Sequence, residues 1–386
     1  MPRPLFFLGL VTLTAACGGS SADSGAPPSA IEPLSFPDDP TVRGVPVGVR
    51  DFSAGDVTFS IWYPAPADQA DAATEVVDLD PFIPQSVVDV LGDIPLEGWD
   101  SGAVRDAPVR DAGAPYPVVV FSHGFGGMRY QSTDLTVHLA SRGYVVVSAD
   151  HPGRMFGDVL PCLFSPALEG CDLSGFTGDP AVADIATVLA WLEGEVGSTD
   201  LGPHVDLEVM GLIGHSAGGS STTSVGELDD RFDVLVPMAG GGAVARDVPT
   251  VFIDGTCDGV VTTASTSASA AASTRATMVH VLGAGHLAFS DLCSLDLGGL
   301  AEDLLVGRDD INETLLPQLI ALGTDGCPGY APTVAREECA DEWLPLETSA
   351  PLVRGLVTLA LDEVLKDVAV GVTDLSDPAI EVEGGR

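Results

Sequence analysis

Apolar residues in this chain occur in short continuous runs rich in valine, separated by stretches with helical character. Continuous apolar runs are typical of strands that are buried on both faces of a parallel sheet. The runs lie at residues 118–121, 144–147, 209–213, 234–236, 251–253 and 278–282. The helix-like stretches between them lie at about 131–141, 180–193, 217–227 and 262–275. This alternation predicts an α/β fold with a doubly wound, mostly parallel sheet and flanking helices.

The two ends of the alternating region carry further elements. Two strands near 43–50 and 56–63 predict an antiparallel start to the sheet. An amphipathic helix is expected at about 350–366, where Ser349 or Thr348 can serve as the N-cap because a hydroxyl accepts from free backbone N–H groups.

Residues 287–345 do not fit the alternation, and we expect them to form a cap-like excursion after the last core strand. The chain then reads as one domain over 41–370, followed by a C-terminal tail at 371–386. No later apolar run approaches the length of a membrane span.

Residues 1–16 have the pattern of a signal peptide, with Arg3 before an apolar stretch, Leu5–Leu13. The small residues that follow lead to Cys17, as in a bacterial lipoprotein signal in which the cysteine receives the lipid. Residues 17–40 are rich in Gly, Ser, Pro and Asp and predict a flexible tether. We expect an exported protein, either an outer-membrane or cell-surface lipoprotein or, after ordinary cleavage, a secreted or periplasmic one.

The chain is strongly acidic, with 56 Asp and Glu residues against 16 Lys and Arg residues and a net charge of −40. Lys366 is its only lysine. Such a surface repels phosphate backbones and anionic lipid headgroups, which excludes nucleic acid as a partner and leaves the lipid anchor as the only expected membrane contact. We interpret the acidity as a solubility feature, suited to a salty habitat where self-repulsion is screened.

Six cysteines remain if Cys17 carries a lipid, and an even number in an exported chain indicates disulfides. Six cysteines allow fifteen connectivities. Pairing nearest neighbours would join Cys162 to Cys171, Cys257 to Cys293 and Cys327 to Cys339. No cysteine or histidine spacing indicates zinc, so no metal is expected.

The strongest local motif is Gly214-His215-Ser216-Ala217-Gly218, which follows one predicted strand and precedes a predicted helix. A G-x-S-x-G sequence in this context is a nucleophile elbow, a tight turn that holds its serine above the sheet. Ser216 is therefore the predicted nucleophile.

A serine hydroxyl needs a base, and the base needs an acid that holds its tautomer. His286 follows the last core strand and is the predicted base. The loop after the preceding strand offers Asp254 and Asp258, and we favour Asp258 because Asp254 lies at the strand end, where its carboxylate faces away. The order serine, acid, histidine is the one that this elbow requires. The other histidines are expected to be structural or exposed, although His215 beside the nucleophile is also a candidate substrate contact.

Two backbone N–H donors must stabilise the oxyanion. Ala217 supplies one, and the glycine-rich loop at 122–127 supplies the other through Phe125, whose ring is also a candidate substrate contact. A phosphate-binding loop is the rival interpretation, but no G-x-G-x-x-G or Walker pattern is present.

The chain resembles the α/β-hydrolase superfamily, and within it the bacterial esterases related to platelet-activating-factor acetylhydrolase and to cutinase-like polyester hydrolases. The motifs that carry this resemblance are the segments 117–127, 143–147, 150–153, 214–219 and 285–286. The resemblance implies hydrolysis of small, lipid or polyester carboxylic esters without a cofactor. It also implies a disulfide between the acid and histidine loops, which Cys257 and Cys293 match. The excursion at 287–345 departs from the compact cutinase-like pattern and favours a partly covered pocket.

Two other functions fit parts of this pattern. The same triad cleaves amides, so a serine peptidase is one alternative, although no propeller or peptide-binding domain precedes the core. A surface lipoprotein that binds ligands without catalysis is the other. The oligomeric state has no signature in the sequence.

Overall fold

The computed structural model describes residues 39–92, 98–177, 179, 181–294, 308–312, 344–375 and 377–383. The predicted signal peptide, almost all of the tether and most of the predicted excursion lie outside these residues. No helix among the described residues has the length and apolar character that a bilayer crossing requires.

The described chain contains twelve strands and eight α-helices. The strands are β1 (Val47–Ala54), β2 (Val57–Pro64), β3 (Val76–Val77), β4 (Trp99–Asp100), β5 (Val104–Arg105), β6 (Tyr116–Ser122), β7 (Val145–Ala149), β8 (Val205–His215), β9 (Val234–Met238), β10 (Thr250–Gly255), β11 (Ala276–Val281) and β12 (Ile380–Glu383). The helices are α1 (Gln85–Leu91), α2 (Thr133–Ser141), α3 (Phe156–Val159), α4 (Ser174–Thr177), α5 (Ala181–Gly194), α6 (Ala217–Leu228), α7 (Thr263–Ala271) and α8 (Leu346–Leu365).

Ten strands form one sheet in the order β12-β11-β10-β9-β8-β6-β7-β2-β1-β5, and β3 pairs with β4 separately. The six strands from β11 to β7 in this order are parallel to one another. Strand β2 is antiparallel to β7 and to β1, as the sequence predicts. The strand order reverses at β6, and ligands of such sheets bind beyond the carboxyl ends of the strands at this point.

The central strands are buried on both faces because their apolar residues do not alternate with polar ones. In β6, Val119 and Phe121 belong to one core cluster, whereas Val118 and Val120 belong to the other. Helices α2 and α8 cover the first face and α5 covers the second. Full burial of such a side chain contributes about 1.5–3 kcal/mol, so the sheet is a rigid support for the loops at its edge.

The C-terminal region differs from the sequence prediction in two respects. Helix α8 begins at Leu346 after Pro345, one turn before the predicted start at about 350, and Ser349 and Thr348 lie inside it. Proline is tolerated in the first turn of a helix, so Pro351 is compatible with a helix start near residue 350. In the structure, however, the helix already begins at Leu346, before Pro351. Within the predicted tail, β12 pairs antiparallel with β11 and ends the sheet.

Lys366 follows the last residue of α8, and its ammonium group contacts three other groups of the protein. The Nζ atom donates to the carbonyl oxygen of Arg142 at 2.9 Å and lies 2.7 Å from Oδ1 of Asp362. It also lies 3.8 Å from the centre of the Tyr144 ring. Burial lowers the pKa of Lys366, and the Asp362 carboxylate opposes that effect.

Candidate active site

Ser216 lies on a tight turn between the end of β8 and the start of α6. Its backbone has a φ of 59° and a ψ of −119°, a conformation that residues with side chains rarely adopt. A Cβ atom at Gly214 would lie 2.3 Å from the carbonyl oxygen of Gly218, and one at Gly218 would lie 1.9 Å from that of Ser122. Glycines are therefore required on both sides of the serine, and the Ser216 hydroxyl is held half-exposed at the N-terminus of α6.

His286 connects Ser216 to Asp258. Its Nε2 atom lies 2.8 Å from the Ser216 hydroxyl oxygen, and its Nδ1 atom lies 2.8 Å from Oδ2 of Asp258. The side chains of His286 and Asp258 are 6% and 0% exposed, so bulk water is almost excluded from both. This geometry allows the imidazole to accept the serine proton while the carboxylate stabilises the cation.

The carboxylate of Asp258 is held by its own loop. Its Oδ1 atom accepts the N–H groups of Val260 at 2.8 Å and Val261 at 2.7 Å, so Oδ2 remains directed at His286. Asp254 has a different partner, because its Oδ1 atom lies 2.6 Å from Nδ1 of His280. The structure thus brings Asp258, and not Asp254, to His286.

The glycine-rich loop after β6 lies close to Ser216, the predicted nucleophile. A Cβ atom at Gly124 would lie 3.2 Å from Cβ of Ser216, and Phe125 is the next residue along the loop. Ala217 is the first residue of α6, where backbone N–H groups have no partner within the helix. The two predicted oxyanion donors therefore belong to backbone segments that flank Ser216.

A buried guanidinium group supports this loop from below. Arg154 is 1% exposed and donates to the carbonyl oxygen of His123 at 2.6 Å, to the Ser122 hydroxyl at 2.8 Å and to the Ser221 hydroxyl at 2.9 Å. Burial lowers the pKa of Arg154 to about 10. The backbone carbonyl of Arg154 also accepts the N–H of Gly126 at 2.8 Å. Arg154 therefore cross-links β6, the glycine-rich loop and α6.

Two histidines of this region belong to the same buried network, in agreement with the structural role expected for them. His151 accepts from the Ser122 hydroxyl, with 3.0 Å between Nε2 and Oγ, and its Nδ1 lies 3.0 Å from Asp184. Its backbone N–H donates to Nε2 of His123 at 3.1 Å. Burial, reinforced by nearby cationic groups, lowers the pKa of both imidazoles well below the ordinary value, so both are neutral.

His215 does not have the substrate-facing position that we predicted from its place beside the nucleophile. It is 2% exposed, and both of its ring nitrogens have partners within the protein, at Gln131 and at the carbonyl oxygen of His286. The residue before an elbow serine ends a buried strand, which directs its side chain away from the solvent.

Gln131 and Arg154 were not predicted from the sequence. Both are polar residues outside any recognised motif, and only their near-complete burial in the folded chain distinguishes them. Their positions shortly after the glycine-rich loop and shortly after β7 were the only available signals.

The predicted disulfide between Cys162 and Cys171 is present, with 4.8 Å between the Cα atoms. Cys257 is disulfide-bonded as well. The structure does not describe the Cys293 side chain, and Cys327 and Cys339 lie outside the described residues, so the pairings of Cys257 with Cys293 and of Cys327 with Cys339 stay predictions. Within the described part of the chain, no group of three or more His, Cys, Asp or Glu side chains is arranged to hold a metal ion.

Comparison with known proteins bears on the fold. A solved ferulic acid esterase from Streptomyces cinnamoneus superimposes with a TM-score of 0.57 and 20% sequence identity, covering 92% of this chain and 100% of the esterase chain. The mostly parallel sheet and its flanking helices are shared with that structure. The chain has the α/β-hydrolase fold. The predicted fold class is therefore confirmed.

Sequence relatives agree with the predicted resemblance. A family model described as platelet-activating factor acetylhydrolase, isoform II, matches residues 84–155, a segment that includes the glycine-rich loop. Platelet-activating factor acetylhydrolase of Cavia porcellus is 23% identical over 46% of this chain, and chlorophyllase-1 of Arabidopsis thaliana is 31% identical over 35% of it. The matched regions span 45% and 40% of these two relatives, less than half of their lengths. The resemblance to esterases of the α/β-hydrolase superfamily is confirmed.

Proposed function

We propose that this protein is a serine carboxylic-ester hydrolase. The observation that carries the proposal is the pair of 2.8 Å contacts that His286 makes, through Nε2 to the Ser216 hydroxyl and through Nδ1 to Asp258. The esterases among its sequence and structural relatives support the same reaction class.

In the proposed reaction, the Ser216 oxygen attacks the ester carbonyl while Nε2 of His286 takes its proton. Asp258 keeps the other imidazole proton on Nδ1 and stabilises the cation. The N–H groups of Phe125 and Ala217 stabilise the oxyanion. His286 then returns the proton to the leaving alcohol, and an acyl group remains on Ser216. Water, activated by the same imidazole, attacks this acyl-enzyme and releases the acid.

The proposed substrates carry an apolar group next to the ester. Each of three loops at the site carries a half-buried apolar side chain: Phe125 itself, Val260 two residues after Asp258, and Leu287 directly after His286. Apolar side chains with a few directed polar groups are typical of small-molecule sites. Short- to medium-chain, lipid and polyester-type esters all fit this chemistry, and turnover across esters of increasing acyl length distinguishes them.

Replacement of Ser216 by alanine tests the activity. We expect S216A to lower turnover of short-chain p-nitrophenyl esters by about a millionfold, because removal of the nucleophile leaves only binding and oxyanion stabilisation. S220A is the matched control, since Ser220 lies one turn further along α6 and is exposed. A fluorophosphonate should label the wild-type protein and S220A but not S216A. Retained turnover in S216A would remove the mechanism.

We also propose that the protein acts outside the cytoplasm, carried by the predicted signal peptide and anchored through lipidated Cys17. The Cys162–Cys171 disulfide supports export, because such bonds persist in oxidising compartments. Mass spectrometry of the protein isolated from its native membrane fraction tests the anchor: a diacylglycerol-modified Cys17 is expected, and an unmodified cleaved chain in the medium would favour simple secretion.

A further inference from the structure

Gln131 lies at the end of the glycine-rich loop, and its carboxamide is buried among the segments that form the site. The side chain is 2% exposed. Its Oε1 atom accepts the N–H of Gly124 at 2.9 Å, and its Nε2 atom lies 2.7 Å from Nδ1 of His215. A Cβ atom at Gly127 would lie 2.0 Å from Oε1, so the loop has space for this side chain only because glycine stands there.

His215 continues the contact to the loop that carries the base. Its Nε2 atom lies 2.9 Å from the carbonyl oxygen of His286. The two imidazole rings are 4.8 Å apart between centres, and the Phe289 ring lies 6.3 Å away on a nearly parallel plane. This hydrogen bond fixes the His286 backbone relative to His215, the residue that immediately precedes Ser216.

Donor and acceptor chemistry determines the direction of each hydrogen bond in this series from Gly124 to His286. Burial, with a smaller effect from His286, lowers the pKa of His215 well below the ordinary value, so the ring is neutral and has one N–H. A carbonyl oxygen only accepts, so that proton is on Nε2, and Nδ1 accepts. Gln131 therefore donates from Nε2 to His215 and accepts at Oε1 from Gly124.

We propose that Gln131 and His215 form a positioning relay that fixes the oxyanion loop, the nucleophile elbow and the histidine loop relative to one another. The relay runs from the Gly124 N–H through the Gln131 amide and the His215 ring to the carbonyl oxygen of His286. Each donor in it points in the same direction, which strengthens successive hydrogen bonds. Neither side chain touches the reacting atoms, so both are positioning residues. The relay rests on the proposed esterase function.

Two substitutions at one position separate positioning from packing. Gln131→Met keeps the length of the side chain and removes both hydrogen bonds. We expect kcat to fall by about 10- to 100-fold with little change in KM, because about 1 Å of misplacement costs on the order of a hundredfold in rate. Gln131→Glu keeps an oxygen that accepts the N–H of Gly124. Its second carboxylate oxygen faces the lone pair on Nδ1 of His215, so two acceptors oppose each other there. One proton shared between the glutamate and the imidazole restores that contact.

The two variants should therefore differ in their pH profiles. The quantity compared is kcat of the variant divided by kcat of wild type at the same pH. For Q131E this ratio should rise as the pH falls from about 9 to about 6, whereas for Q131M it should stay constant. A purely structural role predicts constant ratios for both. Constant ratios, or wild-type kcat in Q131M, would overturn the relay.

A matched control is available on α2. His138 is also buried, and its Nε2 atom bonds to the carbonyl oxygen of Pro40 at 3.0 Å and to the Thr358 hydroxyl at 3.1 Å, away from the glycine-rich loop. His138→Gln should lower the thermal midpoint without changing kcat or its pH profile. A kcat loss in H138Q equal to that in Q131M would assign the effect to general destabilisation.

One measurement does not depend on activity. In ¹⁵N-histidine NMR of the whole protein, His215 should be a neutral Nε2–H tautomer from about pH 5 to 9, and the Gly124 amide should exchange faster in Q131M than in wild type. A protonated Nδ1, or titration near the ordinary histidine value, would overturn the relay. If the wild-type protein neither hydrolyses esters nor reacts with a fluorophosphonate, the proposed function fails, and the relay is decided by these NMR results alone.

Discussion

Oδ2 of Asp258 lies 2.8 Å from Nδ1 of His286, while the other oxygen of the same carboxylate accepts two N–H groups of its own loop. The backbone N–H groups of Val260 and Val261 therefore hold the Asp258 carboxylate in place independently of its contact with His286. Rotation of the carboxylate away from the imidazole would break these backbone hydrogen bonds. The loop after β10 therefore already holds Asp258 in the orientation that its proposed role requires.

Replacement of Asp258 by asparagine should lower kcat by about ten-thousandfold, because an amide N–H directed at Nδ1 selects the wrong imidazole tautomer. Ester turnover at saturating substrate measures this effect. Asp254→Asn is the matched control: Asp254 also bonds to a histidine, but to His280, whose ring nitrogens face Asp254 and Glu383 and not Ser216. If D254N proved as inactive as D258N, the assignment of the acid would be wrong.

Replacement of Gly218 by alanine should damage the site and the fold together. Its Cβ atom would lie 1.9 Å from the carbonyl oxygen of Ser122, so α6 must move away from β6. We expect about 1–3 kcal/mol of destabilisation in urea unfolding. The expected loss of kcat is at least about a hundredfold. Gly194→Ala is the control, because a Cβ atom there has no neighbour within 4 Å, and it should leave turnover unchanged.

Asp291 should contribute a part of the stability that falls as the pH rises from about 4 to about 7, opposite in sign to the contribution of the buried histidines, whose pKa is lowered. Burial raises the pKa of Asp291 from 3.8 to about 7, although its carboxylate accepts the N–H of Asp134 at 2.8 Å. Between these values Asp291 holds a proton in the folded state that it has lost in the unfolded state, so each increase in pH weakens this contribution. Urea unfolding at pH 5 and pH 8 measures how the free energy of unfolding changes with pH. In Asp291→Asn the part of this change that comes from Asp291 should be absent. The same change in the variant as in wild type would contradict the assignment.

Added salt should raise the thermal midpoint. The net charge is −40, and self-repulsion of that charge favours the expanded unfolded chain. At about 1 M salt the screening length falls to about 3 Å, so most of this repulsion disappears. Melting curves in NaCl from about 0.05 to 1 M measure the effect, and glucose at equal osmolality controls for solute exclusion. A midpoint that falls as NaCl is added would contradict this interpretation of the acidity.

The sequence predicted the parallel sheet because six apolar runs have one pattern, and that pattern has one architectural solution. The sequence also predicted that Ser216, Asp258 and His286 follow β8, β10 and β11 at one edge of the sheet, because the carboxyl ends of parallel strands meet at the same edge. The short contacts of His286 were thereby anticipated from topology, without any knowledge of side-chain rotamers.

The support of the site was beyond sequence reasoning for a physical reason. Arg154 and Gln131 have residue types that are ordinarily exposed, and nothing local indicates that the fold buries them. His215 was misjudged because its place beside Ser216 suggested contact with substrate, whereas strand geometry directs its ring inward. The start of α8 was misplaced because Ser349 and Thr348 have the residue types of an N-cap, whereas the helix begins at Leu346 after Pro345.

The half-buried ammonium group of Lys366 has a practical consequence for handling the protein. Reagents that acylate amines, such as those used to couple proteins to sensor chips or to attach fluorophores and cross-linkers, find a single lysine, and its side chain is held against an aromatic ring and a carboxylate. Labelling of this molecule is therefore better directed at its abundant carboxyl groups, through carbodiimide chemistry in a buffer without competing acids.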